Sequence, residues 1–241
     1  MNFIRFPFAA MLVLALSACD SSPATNTPAS QSAASAAKVP ANEPASAGEK
    51  RVLFFGNSLT AGYGVEPDQA FPALVGQKID SLGLDYKVIN AGLSGETTAG
   101  GRSRVGWVLR QPVDVFVLEL GGNDGLRGLP LTATRRNLQA IIDTVRRRSP
   151  KAQIVLAGMQ IPPNLGATYA ADFKALYQEI AAKNKLVLIP FLLQGVGGDR
   201  RLNQPDGIHP TPAGHRILAR NVWSVLQPLL QAQVAAPPAG A

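Results

Sequence analysis

Only two imidazoles occur in this chain, His209 and His215. A general base working near neutral pH is most often a histidine, because its pKa lies close to the working pH. His209 sits in a Pro/Gly loop, Pro205-Asp-Gly-Ile-His-Pro210, three residues after Asp206. A turn there sets the carboxylate against the ring nitrogen that faces away from a nucleophile, fixing the tautomer and stabilising the imidazolium. His215 follows Gly214 inside a helical stretch and reads as a packed or surface histidine. The group such a His–Asp pair activates is a hydroxyl. In FFGNSLTAGYG, residues 54–64, Gly56 lets the chain turn sharply. Ser58 then falls near the start of the next segment, where free N–H groups and the helix dipole favour a developing anion. Taken alone, G-N-S-L fits a turn or cap serine better than a nucleophile. The other serines compete poorly: Ser94 lies in a glycine-flanked loop, and Ser81, Ser103 and Ser149 lie in or at the ends of helices.

Acyl transfer also needs hydrogen-bond donors aimed at the tetrahedral oxygen. Gly95 brings its backbone N–H close because it lacks a side chain, and Asn123, after the pair Gly121-Gly122, offers its amide. Gly-Gly-Asn-Asp by itself also reads as a plain turn. Asp124 is either a carboxylate partner or the next helix cap, and cap or loop hydrogen bonding is the preferred reading.

The elements that position these residues follow from periodicity. Short apolar runs predict strands at 51–55, 85–90, 113–120, 153–159 and 186–189. Helical spacing predicts helices over 70–82, 97–109 (weakened by three glycines), 132–148, 168–183 and 211–229. Strands alternating with helices imply a parallel sheet covered on both faces, with chemistry at the carboxyl ends of its strands. The candidate residues all follow strands or sit in the last long loop.

Not all of the 241 residues belong to that domain. Residues 1–18 carry Arg5 and a short apolar run, too short to span a bilayer permanently, and end Leu16-Ser17-Ala18 before Cys19. The pattern resembles a bacterial lipobox, with Cys19 as the lipidated first residue of the mature chain. Cys19 is the only cysteine, so disulfides and thiol chemistry are excluded from the domain. Residues 19–48 read as a Ser/Ala/Pro tether with too little apolar surface to fold. The domain is expected over 49–230 and a disordered tail over 231–241. The formal net charge of +7 suits an anionic surface, but no basic patch interleaved with aromatics argues for nucleic acid.

Taken in order, FFGNSLTAGYG, INAGLSGETT, ELGGNDGLRG and DGIHP resemble the four blocks of the SGNH (GDSL-type) hydrolases. LELGGNDGLRG and the MQIPPNLG loop are similar to the bacterial branch of arylesterases, acyl-CoA thioesterases and lysophospholipases. The resemblance implies a flavodoxin-like three-layer α/β/α fold, with a five-stranded parallel sheet in the order 2-1-3-4-5. It implies Ser58 as nucleophile, Asp206 and His209 completing the triad, and Ser58 N–H, Gly95 N–H and the Asn123 amide as the oxyanion hole. No cofactor and no metal are implied. The family block carries aspartate where this chain has Asn57. Since the triad acid lies in Asp-x-x-His, Asn57 is expected to keep the cap and leave activity in place with a small change in pH profile.

The expected function is a serine esterase for aryl or short-to-medium acyl esters, with thioesters and lysophospholipids as further substrates. The expected partners are a small-molecule ester and, through the lipid anchor, a membrane facing the periplasm. The domain is expected to be monomeric. The apolar 161–163 and 191–193 runs and the loops 164–168 and 195–203 are expected to border the acyl pocket. A carbohydrate O-deacetylase of the same fold is the alternative. Trp107 is the one candidate sugar platform, although it reads better as packed on the sheet. A non-catalytic envelope lipoprotein is the rival of another class. The glycine spacing fits neither dinucleotide nor phosphate-loop motifs, and two histidines without paired spacing disfavour a metal hydrolase.

Overall fold

The computed structural model describes residues 50–235. The expected signal peptide, Cys19, the linker and the last part of the expected tail lie outside the described residues. Five parallel strands, β1 (Lys50–Gly56), β2 (Tyr86–Gly92), β3 (Val115–Glu119), β4 (Gln153–Ala157) and β5 (Val187–Ile189), form one sheet in the order β2-β1-β3-β4-β5. That is the flavodoxin-like order the resemblance implies. Seven α-helices occur among the described residues: α1 (Ser58–Ala61), α2 (Phe71–Ser81), α3 (Thr98–Val108), α4 (Gly122–Leu126), α5 (Leu131–Arg148), α6 (Ala167–Asn184) and α7 (Pro212–Ala235). α2 packs with α7, and α5 packs between α3 and α6, which makes the two helical layers.

The apolar stripes read from the sequence are the ones that face the sheet. Leu138, Ile141, Ile142 and Val145 on α5 are fully buried, as are Leu218, Val222, Leu226 and Leu230 on α7. β1 and β3 have both faces covered, which is why their residues run apolar without alternation.

Two short helices replace expected loops. α1 and α4 each begin within three residues of a strand end, and both carry candidate site residues. The last helix continues to Ala235, past the expected boundary at 230. Lys50 Nζ donates to the Gln233 carbonyl at 2.8 Å and the Tyr86 hydroxyl donates to Gln233 Oε1 at 2.9 Å, so this end is tied to β1 and β2. Pro228 lies inside α7 and lacks the N–H that Ser224 would accept; both residues are exposed, so that carbonyl stays solvated.

Trp107 departs from its expected packing. It is 51% exposed, with the Arg110 guanidinium 4.5 Å from its ring. α3 starts at the carboxyl ends of the strands, and nine residues of helix carry Trp107 about 13 Å away from that end. It is therefore neither part of the core nor a platform beside the candidate site.

Register decides what meets at the carboxyl edge. Gly56 pairs with Gly92 on one side and with Glu119 on the other. The ends of β1, β2 and β3 thus lie level, and the three chains leave the sheet side by side.

Candidate active site

The turn after β1 is built around a glycine with no room for a side chain. A Cβ on Gly56 would lie 2.1 Å from Thr60 Oγ1 and 2.5 Å from Glu119 Oε2. Asn57 is the N-cap of α1, and its Oδ1 accepts the Leu59 N–H at 3.0 Å. Ser58 is the first helical residue, with its own N–H among those lacking an intrahelical acceptor. Asn57 therefore caps as a residue of its type should, and its amide nitrogen is free to bond elsewhere.

From the other end of the chain, the loop after β5 returns to this turn. His209 Nε2 lies 2.9 Å from Ser58 Oγ across 151 residues of sequence. His209 Nδ1 lies 2.6 Å from Asp206 Oδ2, while Asp206 Oδ1 accepts the N–H groups of Ile208 at 2.8 Å and His209 at 3.0 Å. These backbone and ring contacts from His209 hold the Asp206 carboxyl down at about 2. The carboxylate is therefore ionised at neutral pH and keeps the proton-bearing Nδ1 toward itself, leaving Nε2 to accept from the serine. The Tyr63 ring leans on the His209 ring, centroids 4.6 Å apart.

The expected oxyanion donors lie on the segments after β2 and β3. Gly95 adopts φ +78°, a left-handed conformation that glycine tolerates, in a turn closed by the Glu96 N–H donating to the Leu93 carbonyl at 3.1 Å. Asn123, in α4, donates from Nδ2 to the Glu96 carbonyl at 2.9 Å. One amide hydrogen is thus spent on locking α4 to the Gly95 turn, and the second remains for a ligand. Arg104 grips Glu96 through Nε at 2.8 Å and the outer nitrogen at 2.5 Å, and also donates to the Ala91 carbonyl at 3.0 Å. The donor turn is therefore held from both sides.

Asp124 serves as the cap its preferred reading expects. It accepts the Thr98 N–H at 2.9 Å and the Thr98 hydroxyl at 2.5 Å, so it satisfies the start of α3 and pins α4 to it. His215 is buried; its Nδ1 accepts the Phe71 N–H at 3.2 Å, and burial pushes its pKa down to about 4. It is a neutral packing histidine.

The expected pocket borders divide. Ile161 and Leu165 lie against Gly125 and Gly128 beside α4. Leu192, in contrast, is fully buried in the core and does not line a pocket. The 195–203 loop bonds to itself, with Asn203 Nδ2 donating to the carbonyls of Val196 at 2.7 Å and Asp199 at 2.8 Å. It buttresses the His209 loop. Five exposed large apolar residues, Tyr63, Leu93, Leu126, Leu165 and Ile208, lie on segments that follow strands or adjoin His209. No group of three His, Cys, Asp or Glu side chains suited to a metal ion occurs among the described residues.

Sequence reasoning missed Glu119. This last residue of β3 is 1% exposed and lies directly beneath the Ser58 turn. Burial pushes its carboxyl up to about 7, against the lowering effect of hydrogen bonds from Thr60 and Asn57. The signal was present in VDVFVLEL: an acid inside a strand otherwise buried and apolar needs a polar partner.

Comparison with known proteins agrees with this geometry. Residues 54–217 match the GDSL-like lipase/acylhydrolase family. Esterase TesA of Pseudomonas aeruginosa is 40% identical over 185 residues, 76% of this chain and 91% of that protein. Thioesterase 1/protease 1/lysophospholipase L1 of Escherichia coli K12 is 36% identical over 180 residues, 74% of this chain and 84% of that protein. The solved structure of AlinE4, an SGNH-hydrolase family esterase, superposes with a TM-score of 0.63 at 38% identity, covering 80% of this chain and all of the other.

Proposed function

The chain belongs to the GDSL-like lipase/acylhydrolase family, and from that premise we propose a two-step acyl transfer with Ser58 as its nucleophile. The protein is a carboxylic ester hydrolase. Ser58 Oγ attacks the ester carbonyl carbon while His209 Nε2 takes its proton, and Asp206 stabilises the imidazolium that forms. The carbonyl oxygen, now an anion, is received by the N–H groups of Ser58 and Gly95 and by the Asn123 amide. Collapse of the tetrahedral adduct expels the alcohol or thiol, protonated by His209. Water, deprotonated by His209 in turn, then attacks the acyl-enzyme and releases the acid.

The observation that carries this reading is the continuous chain from Ser58 Oγ to His209 Nε2 at 2.9 Å and from His209 Nδ1 to Asp206 Oδ2 at 2.6 Å. The test is hydrolysis of p-nitrophenyl acetate, butyrate and octanoate by a domain starting at Glu49, beside Ser58→Ala. The variant should lose about a thousandfold or more in kcat. Turnover by a folded Ser58→Ala protein would overturn the assignment.

The exposed apolar side chains on the segments that leave the strands or adjoin His209 support substrates with an acyl chain: aryl and short-to-medium acyl esters, thioesters and lysophospholipids. A sugar-deacetylase reading loses Trp107, its one expected platform, which stands well away from the site. We further propose a monomeric, exported lipoprotein held at the periplasmic face of a membrane through Cys19. The apolar run followed by Leu-Ser-Ala-Cys supports this, and radiolabelled palmitate incorporation that Cys19→Ala abolishes would test it.

A further inference from the structure

Glu119 is a buried carboxylate without a counter-ion among the ion pairs of the described residues. Taking a carboxylate out of water costs several kcal/mol unless its oxygens are well served. Its partners all belong to the nucleophile turn. Oε1 accepts the Asn57 side-chain amide at 2.8 Å; Oε2 accepts the Asn57 backbone N–H at 3.1 Å and the Thr60 hydroxyl at 2.8 Å. An apolar residue would fill this site at lower cost, so what the carboxyl group supplies, once ionised above about pH 7, is two acceptors at fixed positions. Burial first, and then the charge of Glu119, raises the neighbouring Tyr177 phenol well above its ordinary value.

The Asn57 amide can be oriented only one way here. Oδ1 caps the Leu59 N–H, so Nδ2 must face position 119. Residues 57 to 60 are therefore held from below at three points, on either side of Ser58 and not on it.

We propose that Glu119 is a positioning residue for ester hydrolysis: acting through Asn57 and Thr60, its carboxylate holds the nucleophile turn so that Ser58 Oγ stays in line with His209 Nε2. This rests on Ser58 being the nucleophile. Glu119→Gln breaks the arrangement, because an amide nitrogen at 119 confronts either the Asn57 amide or the donors at Asn57 N–H and Thr60. The pair can be restored with its polarity exchanged. In Asn57→Asp/Glu119→Gln, the new carboxylate at 57 still caps Leu59 and accepts from the new amide at 119. The amide oxygen at 119 then takes the Asn57→Asp backbone N–H and the Thr60 hydroxyl. Charge and volume are conserved.

The experiment measures kcat and KM for p-nitrophenyl butyrate, with circular dichroism and thermal unfolding, for the wild type, Ser58→Ala, Glu119→Gln, the exchanged pair and Thr60→Val. Glu119→Gln should lose about tenfold or more in kcat with KM changed less than about threefold, since misplacing a reacting group by a fraction of an ångström costs this much. The exchanged pair should return to within about threefold of wild-type kcat. A kcat within about twofold of wild type for folded Glu119→Gln overturns the proposal, as does a folded exchanged pair no better than the single variant. Should Glu119→Gln not fold, the exchanged pair decides alone. Should neither fold, Thr60→Val decides, with an unchanged kcat overturning the proposal. An active Ser58→Ala would instead overturn the nucleophile assignment.

Discussion

Gln204 Nε2 donates to the Tyr63 carbonyl at 2.8 Å, and this bond ties the loop that carries Asp206 and His209 to the segment that carries Ser58. The same nitrogen donates to the Pro210 carbonyl at 3.1 Å, and the Gln204 N–H donates to the His209 carbonyl at 2.7 Å. A surface loop is thereby made to hold a catalytic geometry. Gln204→Ala removes the side-chain clamp and leaves every proposed catalytic group in place. It should lower kcat about tenfold through looser Ser58–His209 alignment, with a small change in melting temperature. Steady-state kinetics beside a thermal melt separates the two effects.

Asn123 spends one amide hydrogen on the Glu96 carbonyl at 2.9 Å and, in the proposed mechanism, offers the other to the oxyanion. Asn123→Ala removes the proposed oxyanion donor, a role worth roughly 3 kcal/mol, so kcat should fall by about a hundredfold or more. A KM that hardly moves would mark the loss as specific to the transition state; a loss confined to KM would contradict the role.

Asn57→Asp sets a second carboxyl against Glu119, where the amide nitrogen now lies at 2.8 Å. Two carboxyls at that distance share one proton. The shared proton keeps the 57–119 bond, so activity should stay within about tenfold of wild type near pH 6–7. Above that the second ionisation makes the pair repel, and kcat should decline at a lower pH than in the wild type. A pH–rate profile of both proteins gives the answer.

Glu119 and His215 pull stability in opposite directions with pH. Burial raises Glu119 from 4.5 to about 7, so the folded state holds a proton that the unfolded state releases. Its contribution is full below 4.5 and is lost as pH rises to about 7. Burial lowers His215 from 6.5 to about 4, so there the unfolded state binds the proton. That contribution is full above 6.5 and is lost as pH falls toward 4. The wild type should show a shallow profile between these limits. Glu119→Gln should leave the His215 slope unopposed, with the urea midpoint falling steadily as pH drops from 6.5 to 4.5. A slope equal to that of the wild type would contradict the two burial shifts.

The sequence by itself determined the layers and the residue types of the site. Apolar periodicity marked the strands and the stripes of α5 and α7 because burial of apolar surface follows the repeat of each element. Asp206 and His209 were legible as a pair because three residues of tight turn suffice to join them. Tertiary structure alone decided which distant residues meet. The parallel register sets Glu119 level with Gly56, and only then does an acid within an apolar strand acquire Asn57 and Thr60 as partners. The bond between Asn123 and the Glu96 carbonyl likewise joins segments that follow different strands. The separation of Trp107 from the site also follows from how far along α3 it lies. Local spacing records what a residue can do over a turn or two of chain, whereas a parallel sheet joins its strand ends through long crossovers, and no local pattern encodes that alignment.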